Sequence, residues 1–578
     1  MGNCVDVAAG RRSSAISLAI SSSPYRLRPI WTRKNKRQRA FRSSDLREPP
    51  HRLCETAGDR REFALRASVD DLLKAAALRA SESLKTTRPD LSAGTLSLCA
   101  RTLPTLFGLA AILAMLNNCT SSVLCLLVVL PNAFRLLHVA VHGIPAVSVS
   151  SPPVGADDEL PVYSIILPLR REAKIVDQLL SAIERLDYPT EKLDVIIAVE
   201  ADEPETRMAI DRRKHRIPLT VIPVPPIGPR TKPKALNVAL EFARGALTVI
   251  YDAEDRPESQ QLRRAVEAFR TAGSDLACVQ APLCIDTKTT WLTRFFTAEY
   301  AGQFDILLPI LAARRLPLPL GGSSNHFRTD ILRDVGGWDA YNVTEDADLG
   351  MRLARRGYRC DVIGSTTYEE APARVHSWLN QRSRWLKGWM QTWLVHMRTP
   401  GRLARQLGLG GFLTFQFIVG GNALVALAHP VFLLRLLYGG LAPLFGLPDQ
   451  YVVFPARQAE ILASAAIGYL VSAVPGFLGL RRRGLARKSW VLFCTPLHWV
   501  LLSIAGWRGA RQLISAPFHW SKTEHGLCDE PHPDGLIGAL LTLNAHITDL
   551  ARRGEIPQIW IGATGSGANR RLHPPAAA

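Results

Sequence analysis

CxxC cysteine pairs, a convincing signal-peptide cleavage site and a nucleic-acid recognition pattern are not found in this sequence. Its ten Cys are scattered without one CxxC pair. That indicates neither a zinc ribbon nor a disulfide framework, and it fits a reduced, mainly cytosolic soluble portion. The apolar tract AISLAI is short and Ser-bordered, with no cleavage site behind it, so no signal peptide is expected. MGNC opens the chain, but Asp6 stands where N-myristoylation wants Ser or Thr. The net charge of +19 comes without an aromatic-basic recognition signature, so nucleic acid is not an expected partner. Acid is absent from residues 103–141, an otherwise apolar region.

What remains is 47% hydrophobic and 21% charged over 578 residues. That mixture fits a soluble domain fused to membrane helices, with Lys and Arg gathered at cytoplasmic flanks against anionic lipid. Residues 1–62 carry Ser runs and the basic block RKNKRQRAFR, and read as disordered. Residues 63–102 contain the helical pattern DDLLKAAALRA, expected on the cytoplasmic side. Residues 103–141 are expected to form two short spans turning at Asn117-Asn118. A Pro-, Ser- and acid-rich linker occupies 142–161, and a catalytic domain is expected over 162–374. Its runs YSIILPL, DVIIAVE, LTVIPV and LTVIYDA alternate with helical stretches. That order predicts an α/β domain with a mostly parallel sheet between helices, binding its ligand beyond the carboxyl ends of the strands.

From residue 375 the chain turns aromatic. Trp378, Arg382, Trp385, Trp389 and Trp393 share a helical face, read as an interfacial helix over 375–400. Apolar stretches at 411–438, 459–480 and 490–507 make 401–516 a membrane region. The basic loop RRRGLARK is expected to be cytoplasmic, and Pro496 is expected to break the third stretch into a re-entrant or interfacial element. Residues 517–526 form a candidate gating loop, and 527–578 a tail.

Four clusters carry chemistry. YDAEDRP puts Asp252, Glu254 and Asp255 at a strand tip, where packed carboxylates repel unless a cation lies among them. A divalent ion completed by diphosphate oxygens resolves that conflict; a solvated acidic turn is the bland alternative. RTKPKALN brings Lys232 and Lys234 to a helix start suited to diphosphate, or merely a basic loop. In VTEDADLG, Thr344 is a good N-cap, Glu345 and Asp346 occupy the first turn, and Gly357 closes the helix. Capping alone accounts for such acids, although a carboxylate there is also suited to accept a proton as general base. In QRSRW, Arg384 is suited to phosphate and Trp385 to stacking on a sugar.

The carboxylate cluster, then GG…TED, then QxxRW, resembles the motif order of processive family-two glycosyltransferases, which include cellulose, hyaluronan and chitin synthases. PLRREA, RTKPKALN, YDAEDRP, TEDADLG, QRSRWLKG and KTEHG are most similar to bacterial membrane glycosyltransferases. The resemblance runs from Tyr163 to Gly526. It implies the A-type glycosyltransferase fold between N- and C-terminal transmembrane helices, in a multi-pass inner-membrane protein whose catalytic domain is cytoplasmic. It implies Mg²⁺ or Mn²⁺ at Asp252 with Glu254 or Asp255, since Glu254 replaces the usual second Asp. It implies Asp346 as general base with Glu345 next in line, and Gln381, Arg384 and Trp385 on diphosphate and acceptor. Glu200, with Asp202 as alternative, is implied near the nucleoside, and Lys232 before the nucleotide-binding helix. Lys522, Thr523 and His525 match a mobile gating loop. The implied donor is UDP-glucose and the implied product a β-glycan. A lipid-linked acceptor, or a non-catalytic membrane component retaining the fold, are the alternatives.

Overall fold

The computed structural model describes residues 57–116, 157–286, 290–441 and 455–520, with single positions between 133 and 145. The basic arm, the second N-terminal span and the tail lie outside the described residues, as do Lys522, Thr523 and His525.

Helix α1 (Ala57–Thr87) is longer than the pattern predicts, and α2 is Leu98–Leu116. The catalytic region then runs β1 (Tyr163–Leu169), α3 (Val176–Ile183), β2 (Leu193–Glu200), α4 (Pro204–Arg212), β3 (Leu219–Val224), α5 (Lys232–Phe242) and β4 (Leu247–Ile250). It continues β5 (Arg256–Pro257), α6 (Gln261–Thr271), β6 (Leu276–Gln280), β7 (Leu283–Ile285), α7 (Trp291–Gly302) and α8 (Leu308–Ala313). Next come β8 (Asn325–Arg328), α9 (Thr329–Asp334), α10 (Glu345–Arg355), β9 (Arg359–Val362) and β10 (Thr367–Glu369). The rest is helical: α11 (Val375–His396), α12 (Pro400–Thr414), α13 (Gly421–Leu441), α14 (Pro455–Arg482) and α15 (Thr495–Ser515).

The sheet order is β3-β2-β1-β4-β8-β6-β9, and only β8 runs against its neighbours. The first four strands are the four read from sequence. Side-chain alternation sends Ile165, Leu167, Ile197 and Val249 into a core with α3 and α6. Ile166, Ile196 and Ile250 enter the opposite core with α5. Both faces are therefore covered, as a near-continuous apolar parallel strand requires. With its mostly parallel α/β sheet the domain is A-type glycosyltransferase-like. A small second sheet, β5-β10-β7, brings Glu369 beside the turn that follows β4.

Three expectations need correction. Thr344 precedes α10, but its side chain makes no cap hydrogen bond. It packs instead on Gly388, where a Cβ would meet its Oγ1 at 2.4 Å. The far end behaves as expected: Gly357 is left-handed, and the N–H of Tyr358 donates to Leu353 O at 3.1 Å. The tryptophan face of α11 turns to protein rather than to a membrane interface. Trp378 is fully buried, and Trp393 Nε1 donates to Gln416 at 2.9 Å. Pro496 falls in the first turn of α15, after a 3₁₀ segment Ala486–Cys494, and so starts a helix instead of breaking one. Among the described residues three helical segments are long and apolar enough to cross a membrane: Pro400–Pro430, Leu462–Arg482 and Ala486–Ser515.

Candidate active site

One cavity of about 220 Å³ opens beyond the carboxyl ends of β1, β2 and β4. It gathers residues from five segments that are distant in sequence. The turn after β4 contributes Asp252 and Glu254, and the start of α5 contributes Thr231 and Lys232. Glu200 comes from the tip of β2, Glu345 and Asp346 from the start of α10, and Gln381, Arg384 and Trp385 from α11. Trp520 closes one side.

The floor is Gly322. A Cβ built there would lie 3.4 Å from Asp346 Oδ2, 3.8 Å from Lys232 Nζ and 4.0 Å from Asp252 Oδ2. Two carboxylates and a lysine ammonium thus converge around Gly322. Lys232 Nζ donates to Gly322 O at 2.7 Å and pairs with Asp252 Oδ1 at 2.5 Å. Burial alone would lower its pKa, but Asp252 and Glu345 hold it above the ordinary lysine value.

Adjacent residues of each motif separate by direction. Asp255 turns away from the cavity and accepts the N–H of Asp252 at 2.7 Å and the Ser323 hydroxyl. Burial, then Asp252 and Glu254, push its carboxyl well above the usual range. It fixes the turn that aims its neighbours. Lys234 points down, fully buried, its Nζ 3.1 Å from Pro225 O and 3.8 Å from Glu200. Asp202 is surface-exposed and pairs with Arg230 at 2.8 Å, so of the two alternatives Glu200 is the one that lines the cavity. In QRSRW, Arg382 pairs with Glu299 at 2.6 Å and stacks on Phe296, Trp378 and Trp385. Arg384, two residues on, faces the cavity and lies 4.4 Å from the Trp520 ring centroid.

Among the described residues the cations that offset Glu345 and Asp346 are Lys232 and Arg384. Burial, then Asp346, raises the Glu345 carboxyl to about 8. Burial also raises Asp346, against the opposing pull of the Ala347 N–H, Lys232 and Arg384. Asp346 accepts that N–H at 2.8 Å.

Sequence patterns did not single out Tyr300 and Glu369. Glu369 ends β10 in TYEEAP, another strand running into carboxylates, which is the signal that could have found it. Burial, then Asp255 and Glu254, push its carboxyl well up, and Tyr300 hydrogen-bonds to it.

Among the described residues eight carboxylates and three cations line the cavity. Hard oxygen donors in such excess fit a divalent cation. Among the described residues no three His, Cys, Asp or Glu side chains converge as a metal site. Gln381 Oε1 and Arg384 Nε are buried without a hydrogen-bond partner among the described residues, leaving polar atoms for a ligand.

Known families match this region. Residues 164–322 match Glycosyl transferase family 2, and residues 247–521 match Glycosyl transferase family group 2. The chain is 26% identical over 295 residues to the probable glycosyltransferase YdaM of Bacillus subtilis, covering 48% of this chain and 68% of that protein. It is 24% identical over 266 residues to the beta-monoglucosyldiacylglycerol synthase of Synechocystis, covering 45% of this chain and 55% of that one. It therefore spans little more than half of the latter. Among solved structures it is similar to a mannosyltransferase from Pyrobaculum calidifontis in complex with GDP-Man and Mn²⁺. The identity is 20%, the TM-score 0.41, and the coverage 67% of this chain and 97% of that one.

Proposed function

We propose that this chain, whose catalytic domain is a family-two glycosyltransferase, moves a hexose from a UDP-sugar to a glycan or lipid-linked acceptor at a membrane face. The observation that carries the reading is the convergence at Gly322, where Asp346 meets the Lys232–Asp252 pair. A proton acceptor thereby faces the groups that would hold a diphosphate.

Asp346 takes the proton of the acceptor hydroxyl as its oxygen bonds to the anomeric carbon of the donor. The bond from that carbon to the diphosphate oxygen breaks on the opposite side, so the configuration inverts and the nucleoside diphosphate leaves. Lys232, the start of α5 and Arg384 face the charge that develops on it; one such group is worth about 3–4 kcal/mol. Asp252 and Glu254 are the residues that would hold Mg²⁺ or Mn²⁺, which supplies charge neutralisation when bound. Trp385 and Trp520 limit water and offer ring faces to a sugar. Glu200, at the nucleoside end, is the group nearest a base or ribose. UDP-glucose is the favoured donor because the motif order resembles that of glucan-forming enzymes.

A polymer and a single addition to lipid are both open to this site. The similarity to a diacylglycerol glucosyltransferase supports the second, and the QxxRW motif supports the first. A non-catalytic role is disfavoured by the intact set of Asp252, Asp346 and Arg384 around one cavity. Purified protein given labelled nucleotide sugars, with and without a chelator, tests the reading. Transfer from UDP-glucose that stops on metal removal is expected, and the size and extractability of the product separate polymer from lipid. Failure to bind or turn over any nucleotide sugar with metal present would sink it.

A further inference from the structure

Helix α11 carries a buried lysine with no carboxylate beside it among the described residues. Lys387 has no exposed surface, and its Nζ donates to the carbonyls of His519 at 2.8 Å and Ala516 at 3.2 Å. An ammonium withdrawn from water this completely is costly unless its protons are all used. Burial, with Arg384 adding, pulls it down to about 8. One turn along, Gln391 Nε2 donates to Pro517 O at 3.1 Å, while its Oε1 accepts the N–H of Val343 at 3.2 Å. The two side chains thus fasten the four residues after α15 to α11, and Gln391 also ties in the loop that leads into Glu345 and Asp346. Trp520, at the end of the fastened segment, lies over the Arg384 guanidinium at 4.4 Å. Phe518, within it, meets Tyr341 edge-on at 4.9 Å.

We propose that Lys387 is a positioning residue: it clasps segment 516–520 so that Trp520 stays stacked on Arg384 and keeps that guanidinium aimed at the diphosphate of the bound donor. Lys387 touches no substrate in this arrangement. It lies three residues from Arg384 on the same helix, so the clasp and the cation it serves belong to one rigid element. The use of Arg384 on a donor rests on the functional reading above. The clasp itself does not.

Two measurements separate the claims. Amide hydrogen exchange over residues 516–520 reads the clasp without any turnover. In Lys387→Met it should speed up about ten- to a hundredfold, the equivalent of a lost charge-assisted hydrogen bond. Gln391→Leu, which cuts the Pro517 bond, is a second variant should the first not fold. Unchanged exchange in a folded variant overturns the clasp. A double-mutant cycle on the donor KM then reads its purpose. Lys387→Met and Trp520→Ala should each raise the KM about tenfold, and the double variant should be no worse than Trp520→Ala alone. Multiplying effects would show that Lys387 does not act through Trp520 and overturn the proposal. A wild-type protein that turns over no donor would count against the functional reading, while the exchange result still stands or falls alone.

Discussion

Helix α10 has a wet side and a dry side, and two aspartates two residues apart show what separates them. Asp348 is fully buried and answered on every side: Arg352 Nε lies at 2.7 Å and His396 Nε2 at 3.1 Å. Burial would raise its carboxyl, but Arg352 and His396 more than offset that and hold it below the usual range. Asp346 is equally shielded from water on the protein side but meets the cavity, and its carboxyl is raised. A carboxylate whose partners are built in is structural, whereas one left short of partners is poised to take a proton.

Substitution should break the comparison in opposite directions. Asp346→Asn keeps the shape and removes the base, so kcat should fall about 10²–10⁴-fold. UDP affinity, by calorimetric titration, and the melting temperature should barely move. Near-normal turnover would transfer the base role to Glu345. Asp348→Asn should do the reverse and cost about 3–5 kcal/mol of stability, the cost of stranding a buried cation. Chemical denaturation in detergent measures it, and the surviving folded fraction should retain most of its turnover per molecule. A stable but inactive Asp348→Asn would place that residue in the chemistry.

The sequence carried one half of this comparison. TED announced acids at a helix start, and β1 to β4 were readable because buried parallel strands are unbroken apolar runs. What could not be read was direction. Asp252 and Asp255, Lys232 and Lys234, and Arg382 and Arg384 are chemically matched pairs a few residues apart. Which member faces the ligand depends on a turn or on helical phase against the rest of the fold. Strand β8 was missed for a related reason. Its sequence NHFR is short and polar, and His326 is tolerated inside because Tyr163 OH at 2.6 Å and Gln261 Oε1 at 3.3 Å, both far away in sequence, answer its two ring nitrogens. The partnership of α11 with the segment ending at Trp520 is likewise invisible until both are folded.

Titration should sharpen the contrast more gently. Glu345, raised to about 8 by burial and Asp346, is held protonated by the fold at neutral pH. Its stabilising contribution is complete below the ordinary carboxylate pKa, and it is lost as pH rises towards 8. Asp348 has the opposite sign: its contribution is present above that ordinary value and is lost as pH falls through its depressed one. Between pH 5 and 8, Glu345→Gln should therefore gain stability relative to the wild type as pH rises, by thermal melting. A difference that does not change with pH would mean that Glu345 is ionised throughout in the folded protein.

The smallest expected effect lies at the boundary between the two sides. Thr344 looks like an N-cap in the sequence, and losing a true cap costs about 1 kcal/mol. Its hydroxyl instead lies 3.4 Å from Asn342 Oδ1, and its side chain fills the space that Gly388 leaves against α11. What matters at this position is then branched bulk rather than the hydroxyl. Thr344→Val keeps the bulk, so it should change stability by no more than about 0.5 kcal/mol and leave kcat within a factor of about two. Gly388→Ala attacks the same contact from the other side, because its new methyl would drive into Thr344. It should shift the start of α10 bearing Glu345 and Asp346 and lower kcat more than Thr344→Val does. If Thr344→Val instead loses the full value of a cap while Gly388→Ala is silent, the hydroxyl caps α10 in solution. The helix start would then be held by its own chain rather than by α11.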